Sequence, residues 1–407
     1  MHAQTGLPVF EATVFCLMEL RATAKMRMTL GQALRSIRAG LQIFEHLGID
    51  IDDRMSKGKL LDLGEVNQLC TFATWLQSDL DLLSSPQTGS PAHARVVSLE
   101  RARMRSDRRS PSKRISRDSA SIRLLYIRNF LLWRVQRRLL RLEVGHALYA
   151  PLLTNAETAL RALNEHVKKH DPDPKTLPQG MEPGDIDTMK EVVEPDSPAN
   201  PWKGRHSRYR NRLIIRLLLG LGVRKSELLG IKLTDINLRT NEVMIVRRAD
   251  DPDEPRADPP EVKTKSRLLK LGDELAAMLH EYISRYRNRV RSVGRRSNGY
   301  LLVANGTGKP LSKSGMNNVF VELRTKVPSV PDELTPHVLR HSWNDEFSEL
   351  MDRNKVPASE EEQIRRQQMG WSDRSRMAAV YTRRHTKKKS DQASLELQDK
   401  QFNRNKK

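Results

Sequence analysis

Cysteine is nearly absent: two residues, Cys16 and Cys70, occur in 407. A disulfide framework and a cysteine-ligated zinc site are thereby excluded, and a reducing cytosol is the expected setting. Long apolar runs are absent too. No stretch approaches the roughly 18 consecutive apolar residues of a membrane span. The segment Met1–Leu20 has an apolar patch, but it carries Glu11 and Glu19 and lacks a basic leading region, so no signal peptide is expected. No repeat recurs at a fixed period. The remaining deficit is of acid: 50 Asp and Glu face 71 Lys and Arg, a net charge of +21.

A pI near 10.1 points to a polyanionic partner, nucleic acid before others. The length suggests two or three domains at about 150 residues each, ample for a buried core without staples. Charge alone says nothing about chemistry.

Two stretches interrupt the apolar periodicity. Arg95–Arg117 holds nine basic residues against two acids, a composition that is commonly disordered until a partner neutralises it. His170–Pro201 is dense in Pro, Asp and Gly and marks the best domain boundary. The expected organisation is therefore an N-terminal segment (1–28), a helical domain (29–168) with a basic insert at about 95–117, a linker (169–201), a second domain (202–390) and a basic tail (391–407).

Before the boundary, helical spacing is visible over Thr29–Leu47, Asp62–Leu83 and Ser119–Leu148. The last pairs an apolar stripe with Arg128, Arg134, Arg137, Arg138 and Arg141 on its remaining positions. Arginines on such a face suit a phosphate backbone, and a plain solvated face has equal weight.

After the boundary, Tyr209–Leu221 reads as a helix stopped by glycine, followed by a short helix at Ser226–Gly230. Glu242–Arg247 is strand-like, and Asp250–Glu261, with six acids and four prolines, is a loop. Val262–Leu271 is expected to form a hairpin around Lys265–Ser266. Helices then follow at Asp273–Arg287, Lys313–Lys326, Pro336–Met351, Glu360–Met369 and Arg374–Tyr381. The fold class is mainly α, with one small antiparallel sheet.

The informative segment is Leu334–Asp345. Thr335 is a good N-cap and Pro336 suits the first helical position. Leu339, Trp343, Phe347 and Leu350 are expected as its buried stripe, with His337, Arg340, His341 and Asn344 on another face. His337 and Arg340, three apart, are surface neighbours, and guanidinium beside imidazole suits a phosphate. His337 and His341 have the spacing of a metal pair, but no HExxH pattern completes it, and no metal is expected. Trp202 and Trp343 read as packing residues. The GTGK run at Gly306–Lys309 lacks phosphate-loop spacing and reads as a turn.

Three further segments join this one in order: Arg224 after a glycine-ended helix, Lys263 with Lys265 on the same hairpin, and Gly370-Trp371 followed by Tyr381. The order Arg, Lys, His-x-x-Arg, Gly-Trp, Tyr resembles the catalytic domain of the tyrosine recombinases, the phage-integrase family, from about Tyr209 to Thr386. The resemblance implies a helical core-binding domain ahead of a mostly helical catalytic one. It implies a DNA-cleaving and rejoining enzyme that works through a 3′-phosphotyrosyl intermediate with no cofactor or metal. Tyr381 would be the nucleophile, and Arg224 and Arg340 would hold the non-bridging oxygens. Lys263 would protonate the leaving 5′-oxygen, with Lys265 left open for that role. His337 would serve acid–base exchange, and Trp371 would orient its neighbours. Implied partners are duplex DNA with specific recombination sites, a homo-tetramer in synapsis and accessory or directionality factors, with no membrane and a cytoplasmic, nucleoid-associated setting. A mobile-element integrase is the leading expectation. A catalytically silent DNA-binding protein and a type IB topoisomerase are its alternatives. Arg128, Arg134, Arg138 and, in the basic insert, Arg103, Arg105, Arg108 and Arg109 are candidate DNA contacts.

The excess charge has a direct consequence. Duplex binding should weaken steeply with salt, about 0.9 decades of affinity per decade of salt for each phosphate neutralised. A titration of DNA affinity between low and physiological salt reads this slope, and a flat response would contradict it.

Overall fold

A computed structural model of the chain describes residues 8–22, 27–83, 113–143, 145–167, 180–248, 251–291, 293, 299–372, 375 and 377–403. Two units emerge, Met1–Pro172 and Asp173–Lys407. No helix among the described residues is long and apolar enough to cross a membrane.

The first unit is helical: α1 (Phe10–Phe15, continued by a π-turn over Cys16–Arg21), α2 (Arg27–His46), α3 (Ile51–Ser56), α4 (Leu63–Phe72), α5 (Gln77–Leu83), α6 (Arg117–Leu139) and α7 (Tyr149–Val167). Its centre is α6, against which α2 and α7 pack. Ile127, Leu131 and Val135 of α6 meet Ile43, Leu152 and Ala159 in one core. Residues 10–21, expected as a separate segment, belong to the unit: Phe15 stacks edge-on against Phe130 and Trp133 at 5.6 and 5.7 Å. The single helix expected over Asp62–Leu83 is two. The chain breaks at Thr74–Trp75, and Arg123 Nη1 takes the freed carbonyls of Ala73 and Trp75 at 2.9 and 2.7 Å. The end of the basic insert is held there as well, Ile115 N donating to Thr74 O at 2.8 Å.

The arginine face of α6 is not a free one. Arg134 is ion-paired with Asp52 and lies 5.8 Å over the Phe130 ring, while Arg137 covers Trp133 at 4.7 Å. Arg128, whose Nη1 donates to Asn129 Oδ1 at 3.1 Å, and Arg138 are half-buried. Guanidinium planes stack on aromatic faces and their stems cover apolar surface. Arg103, Arg105, Arg108 and Arg109 lie outside the described residues.

The second unit runs α8 (Pro183–Val192), α9 (Arg205–Leu221), α10 (Lys225–Leu229), β1 (Ile236–Asn237), β2 (Glu242–Ile245), β3 (Arg267–Lys270), α11 (Asp273–Glu281), α12 (Lys313–Lys326), α13 (Pro336–Arg353), α14 (Ala358–Met369) and α15 (Met377–Asn403). Within the expected linker, Pro183 opens α8 at its first turn instead of breaking it, and Ile186, Met189 and Val192 join the core. That core is centred on α9, whose Leu213, Ile214, Leu217 and Leu218 are fully buried. The three strands form one antiparallel sheet in the order β1-β2-β3, with Val243 opposite Leu269 and Ile245 opposite Arg267. The expected hairpin around Lys265–Ser266 is absent, since β3 pairs back onto β2 and residues 262–266 lead into it as an irregular segment. The terminal helix does not stop near Tyr381 but continues to Asn403 through the expected tail.

The acidic loop is a built strap. Arg256 grips Glu254 through two 2.7 Å bonds, donates to Leu229 O and Leu311 O at 3.1 and 3.0 Å, and lies 4.4 Å over the Tyr300 ring. Lys232 pairs with Asp251 at 2.9 Å. Pro-rich chain with no ladder bonds is thus satisfied by side chains.

Gly222 ends α9 at φ +60°, the left-handed conformation that favours glycine. A Cβ there would lie 2.6 Å from Trp343 Cδ2 and 2.8 Å from Met369 Cε. Left-handed strain and overpacking together make Gly222→Ala cost roughly 2–4 kcal/mol. A thermal melt should fall by about 5–10 °C. An unshifted melt would contradict the packing described.

Candidate active site

α13 begins where the sequence expects it. Thr335 Oγ1 accepts from Val338 N at 3.2 Å and Pro336 fills the first position. Arg340 follows one turn later and is 1% exposed. Its Nη1 donates to Gly222 O, which ties the start of α13 to the end of α9. Trp343 Nε1 does the same to Gly220 O at 3.2 Å. The expected buried stripe is rotated: Leu339 is inside, but Leu350 is 43% exposed, and Arg340, His341, Asn344 and Ser348 are buried. The polar face is inside because partners await it. Arg365, fully buried on α14, donates to Asn344 O and Oδ1 at 3.0 and 2.9 Å and ion-pairs with Glu361.

Two residues beyond Gly222, Arg224 caps the start of α10 with extended backbone. Its N–H donates to Glu227 Oε2 at 2.8 Å, and its Nη1 reaches Glu227 Oε1 at 3.3 Å. Glu227 is a buried carboxylate shared by several donors. Thr264 Oγ1 donates to it at 2.6 Å and Arg267 Nη2 at 2.9 Å, and Arg340 Nη1 stands 4.0 Å away. Burial by itself would push this carboxyl up, but the Arg267 and Thr264 bonds and the Arg340 charge win and hold it at about 2. Three guanidiniums around one carboxylate leave the locality positive. Arg340 feels this: burial, then the nearby Arg224 charge, lowers it to about 10, still charged at neutral pH. Its Nη2 is buried with no hydrogen-bond partner among the described residues. A buried donor without an acceptor is costly and suits an anion supplied from outside.

Arg224, His337 and Arg340 line one pocket of about 540 Å3, together with Lys225, Asn317 and Arg324. Partial burial and then the charges of Arg340 and Arg224 lower the His337 pKa, so its imidazole is neutral near pH 7 and can accept a proton. Tyr381 does not line this pocket. It is 4% exposed, stacked on Trp371 at 5.7 Å and 12°, beneath the Arg365 guanidinium at 5.9 Å. The two groups of residues meet through Arg340 and His341. Arg340 lies 5.7 Å over the Trp371 ring, and His341 stands between His337 (rings 4.3 Å apart) and Tyr381 (5.5 Å). Lys263 and Lys265 sit on the exposed face of the segment before β3, outside the pocket lining, and flank the anchored Thr264. The structure thus gathers Arg224, His337 and Arg340, seats Trp371 with Tyr381 behind them, and holds Lys263 to one side.

Glu227, Thr264, Arg267 and Arg365 escaped the sequence reading, and His341 entered it only by its face and its spacing from His337. Glu227 alone carried a signal, an acid at the third position of a helix whose cap is Arg224.

Residues 197–388 match the phage integrase family. Tyrosine recombinase XerC of Staphylococcus carnosus is 29% identical over 167 residues, 41% of this chain and 47% of that protein. Tyrosine recombinase XerD of Staphylococcus haemolyticus is 28% identical over 170 residues, 42% and 48% respectively. The chain therefore spans about half the length of the curated relatives it matches. A solved structure of the Tn1549 transposon integrase in complex with transposon right end DNA aligns with a TM-score of 0.45 at 14% identity, covering 88% of this chain and 99% of that one.

Glu227 gives the site a pH signature. Its folded pKa lies below its ordinary 4.5, so it contributes stability that is full above about 4.5 and is lost as pH falls toward 2. Comparing denaturation of wild type and Glu227→Gln between pH 6 and pH 3 should show the wild-type advantage shrinking with acid. A pH-independent difference would contradict the assignment. The segment 197–388, with these residues arranged within it, is thus similar to the phage integrase family and to the Xer tyrosine recombinases.

Proposed function

We propose that the chain is a site-specific tyrosine recombinase, the integrase of a mobile element, that cleaves and rejoins duplex DNA through a 3′-phosphotyrosyl intermediate. The observation that carries this is the pocket in which Arg224, Arg340 and His337 converge, with Tyr381 two ring contacts behind it.

In this scheme Arg224 and Arg340 hold the non-bridging oxygens of the scissile phosphate. Arg340 offers the buried Nη2 to one of them, and both stabilise charge that builds on phosphorus. The Tyr381 oxygen attacks phosphorus as its proton passes to neutral His337. The bond to the 5′-oxygen breaks, and that oxygen takes a proton from Lys263 or Lys265. Attack of a 5′-hydroxyl on the phosphotyrosyl bond reverses the sequence and reseals the strand. Trp371, whose indole can donate one hydrogen bond but take no proton, acts by stacking. Attack needs the reacting atoms about 3–3.5 Å apart. Tyr381 must therefore leave its seat against Trp371 and enter the pocket. Seating the nucleophile away from the phosphate cradle couples cleavage to a rearrangement of α15, which an enzyme acting only in a tetrameric synapse requires. Duplex DNA, a homo-tetramer and accessory directionality factors are the partners this scheme implies.

The test is a nicked suicide duplex built on DNA that the protein itself selects from a random pool. Wild type should trap a covalent protein–DNA adduct, and Tyr381→Phe should trap none. Arg340→Lys, which keeps a charge but loses the fork, should slow adduct formation about 10²-fold or more. Undiminished adduct with Tyr381→Phe would overturn the nucleophile. Binding without any wild-type adduct would favour a silent DNA-binding protein, and relaxation of supercoils without site dependence would favour a topoisomerase.

A further inference from the structure

Arg267 occupies an inward position of β3 opposite Ile245, in a sheet position where an aliphatic residue would pack more cheaply. Its guanidinium instead joins three segments. It donates to Glu227 Oε2 at 2.9 Å, which belongs to the helix that Arg224 caps. It reaches Thr264 Oγ1 at 3.3 Å, between the two candidate lysines. Its Nε donates to Gln368 O at 2.6 Å, three residues before Trp371. The same junction is closed by backbone: Lys265 N donates to Gly370 O at 2.9 Å. Gly370 sits at φ +64°, and a Cβ there would lie 2.8 Å from Arg267 Nη1. Thr264 itself donates to Glu227 at 2.6 Å, so the lysine-bearing segment has no ladder bonds but is pinned at its centre.

We propose that Arg267 is a positioning residue for proton donation to the leaving 5′-oxygen: by clamping Thr264 and the Gly370 turn to Glu227, it fixes the segment carrying Lys263 and Lys265 relative to Arg224. This rests on the reading of the chain as a tyrosine-nucleophile DNA-cleaving enzyme. It acts whichever lysine donates, because both flank the pinned residue. Burial of a charged, hydrogen-bonded fork costs stability that a hydrophobic residue would not, so its return is geometric.

The chemistry separates this role from a general loss of structure. In cleavage the tyrosine O–P bond forms, the P–O5′ bond breaks, and O5′ takes the lysine proton. An alkoxide leaving group, with a conjugate acid near the 15.7 of water, needs that proton, whereas a thiolate, near 8.5, leaves without it. Adduct formation is therefore measured on the selected nicked duplex with either oxygen or sulfur at the bridging 5′ position, for wild type, Arg267→Lys and Thr264→Val. Both variants should cleave the all-oxygen duplex about 10²-fold more slowly, the scale of a 1 Å misplacement. On the sulfur duplex they should come within several-fold of wild type, with DNA affinity unchanged within about threefold. Arg340→Lys should stay slow on both. Amide exchange of residues 262–267 in the DNA-free protein should quicken in Arg267→Lys. Equal losses on the two duplexes, or unchanged exchange, would overturn the role of Arg267 alone. Absence of wild-type adduct on both duplexes would overturn the functional reading and this inference with it.

Discussion

One buried carboxylate organises the second unit. Glu227 takes the backbone N–H of Arg224, the hydroxyl of Thr264 and the fork of Arg267, and stands within ion-pair reach of Arg340. Those donors come from the α9–α10 turn, the segment before β3, β3 itself and α13. Removing one charge from such a centre strands its partners in a low-dielectric interior, which costs several kcal/mol, and so the four segments hold one arrangement. A positive remainder is built in as well, since more guanidiniums converge than one carboxylate neutralises. The pocket beside them is thus charged before any ligand arrives, and its donors need no reorganisation when an anion enters.

The same logic explains why α13 and α14 are polar where they meet. Arg365 satisfies the end of the Asn344 side chain, Ser348 and Glu361 at once, and its other face covers Phe347 at 4.7 Å and Tyr381 at 5.9 Å. Tyr381 is therefore flanked by two flat surfaces, an indole and a guanidinium, within a small cluster that also holds Met369 and Ala378. Contacts of that kind are lost and regained with little repacking, unlike interdigitated aliphatic side chains whose displacement opens a void.

What the sequence disclosed was whatever depends on local chemistry and order along the chain. Thr335-Pro336 opens a helix in any context, Gly222 and Gly370 end one, and the motif order stands independent of packing. The misjudged features all depended on distant partners. Leu350 was expected inside by spacing, yet the partners of Arg340 and Asn344 lie on α9 and α14 and rotate the helix the other way. Lys265–Ser266 has turn-like composition, but the strand after it finds β2. Pro183 looked like linker punctuation, and only the apolar Ile186, Met189 and Val192 behind it show a helix with somewhere to pack. Thr264 and Arg267 were invisible because a threonine and an arginine in a basic run acquire meaning only beside Glu227, about 40 residues earlier.

The net charge also changes meaning once its members are placed. Arg210 and Arg287 are buried and spend their donors on Val303, Tyr300 and Leu301 carbonyls, holding the loop before α12. Arg256 clamps the acidic strap, Arg365 seats Tyr381, and Arg134 pairs with Asp52. Guanidinium serves these internal tasks because five donors in a plane can satisfy several carbonyls at once while the stem packs as hydrocarbon. The acid-paired arginines cancel within the net +21, whereas Arg210 and Arg287, buried on carbonyls, count toward it without facing a partner. Composition is a sum over the chain, whereas counterion release depends only on charges that reach the duplex. The salt slope measures the second quantity.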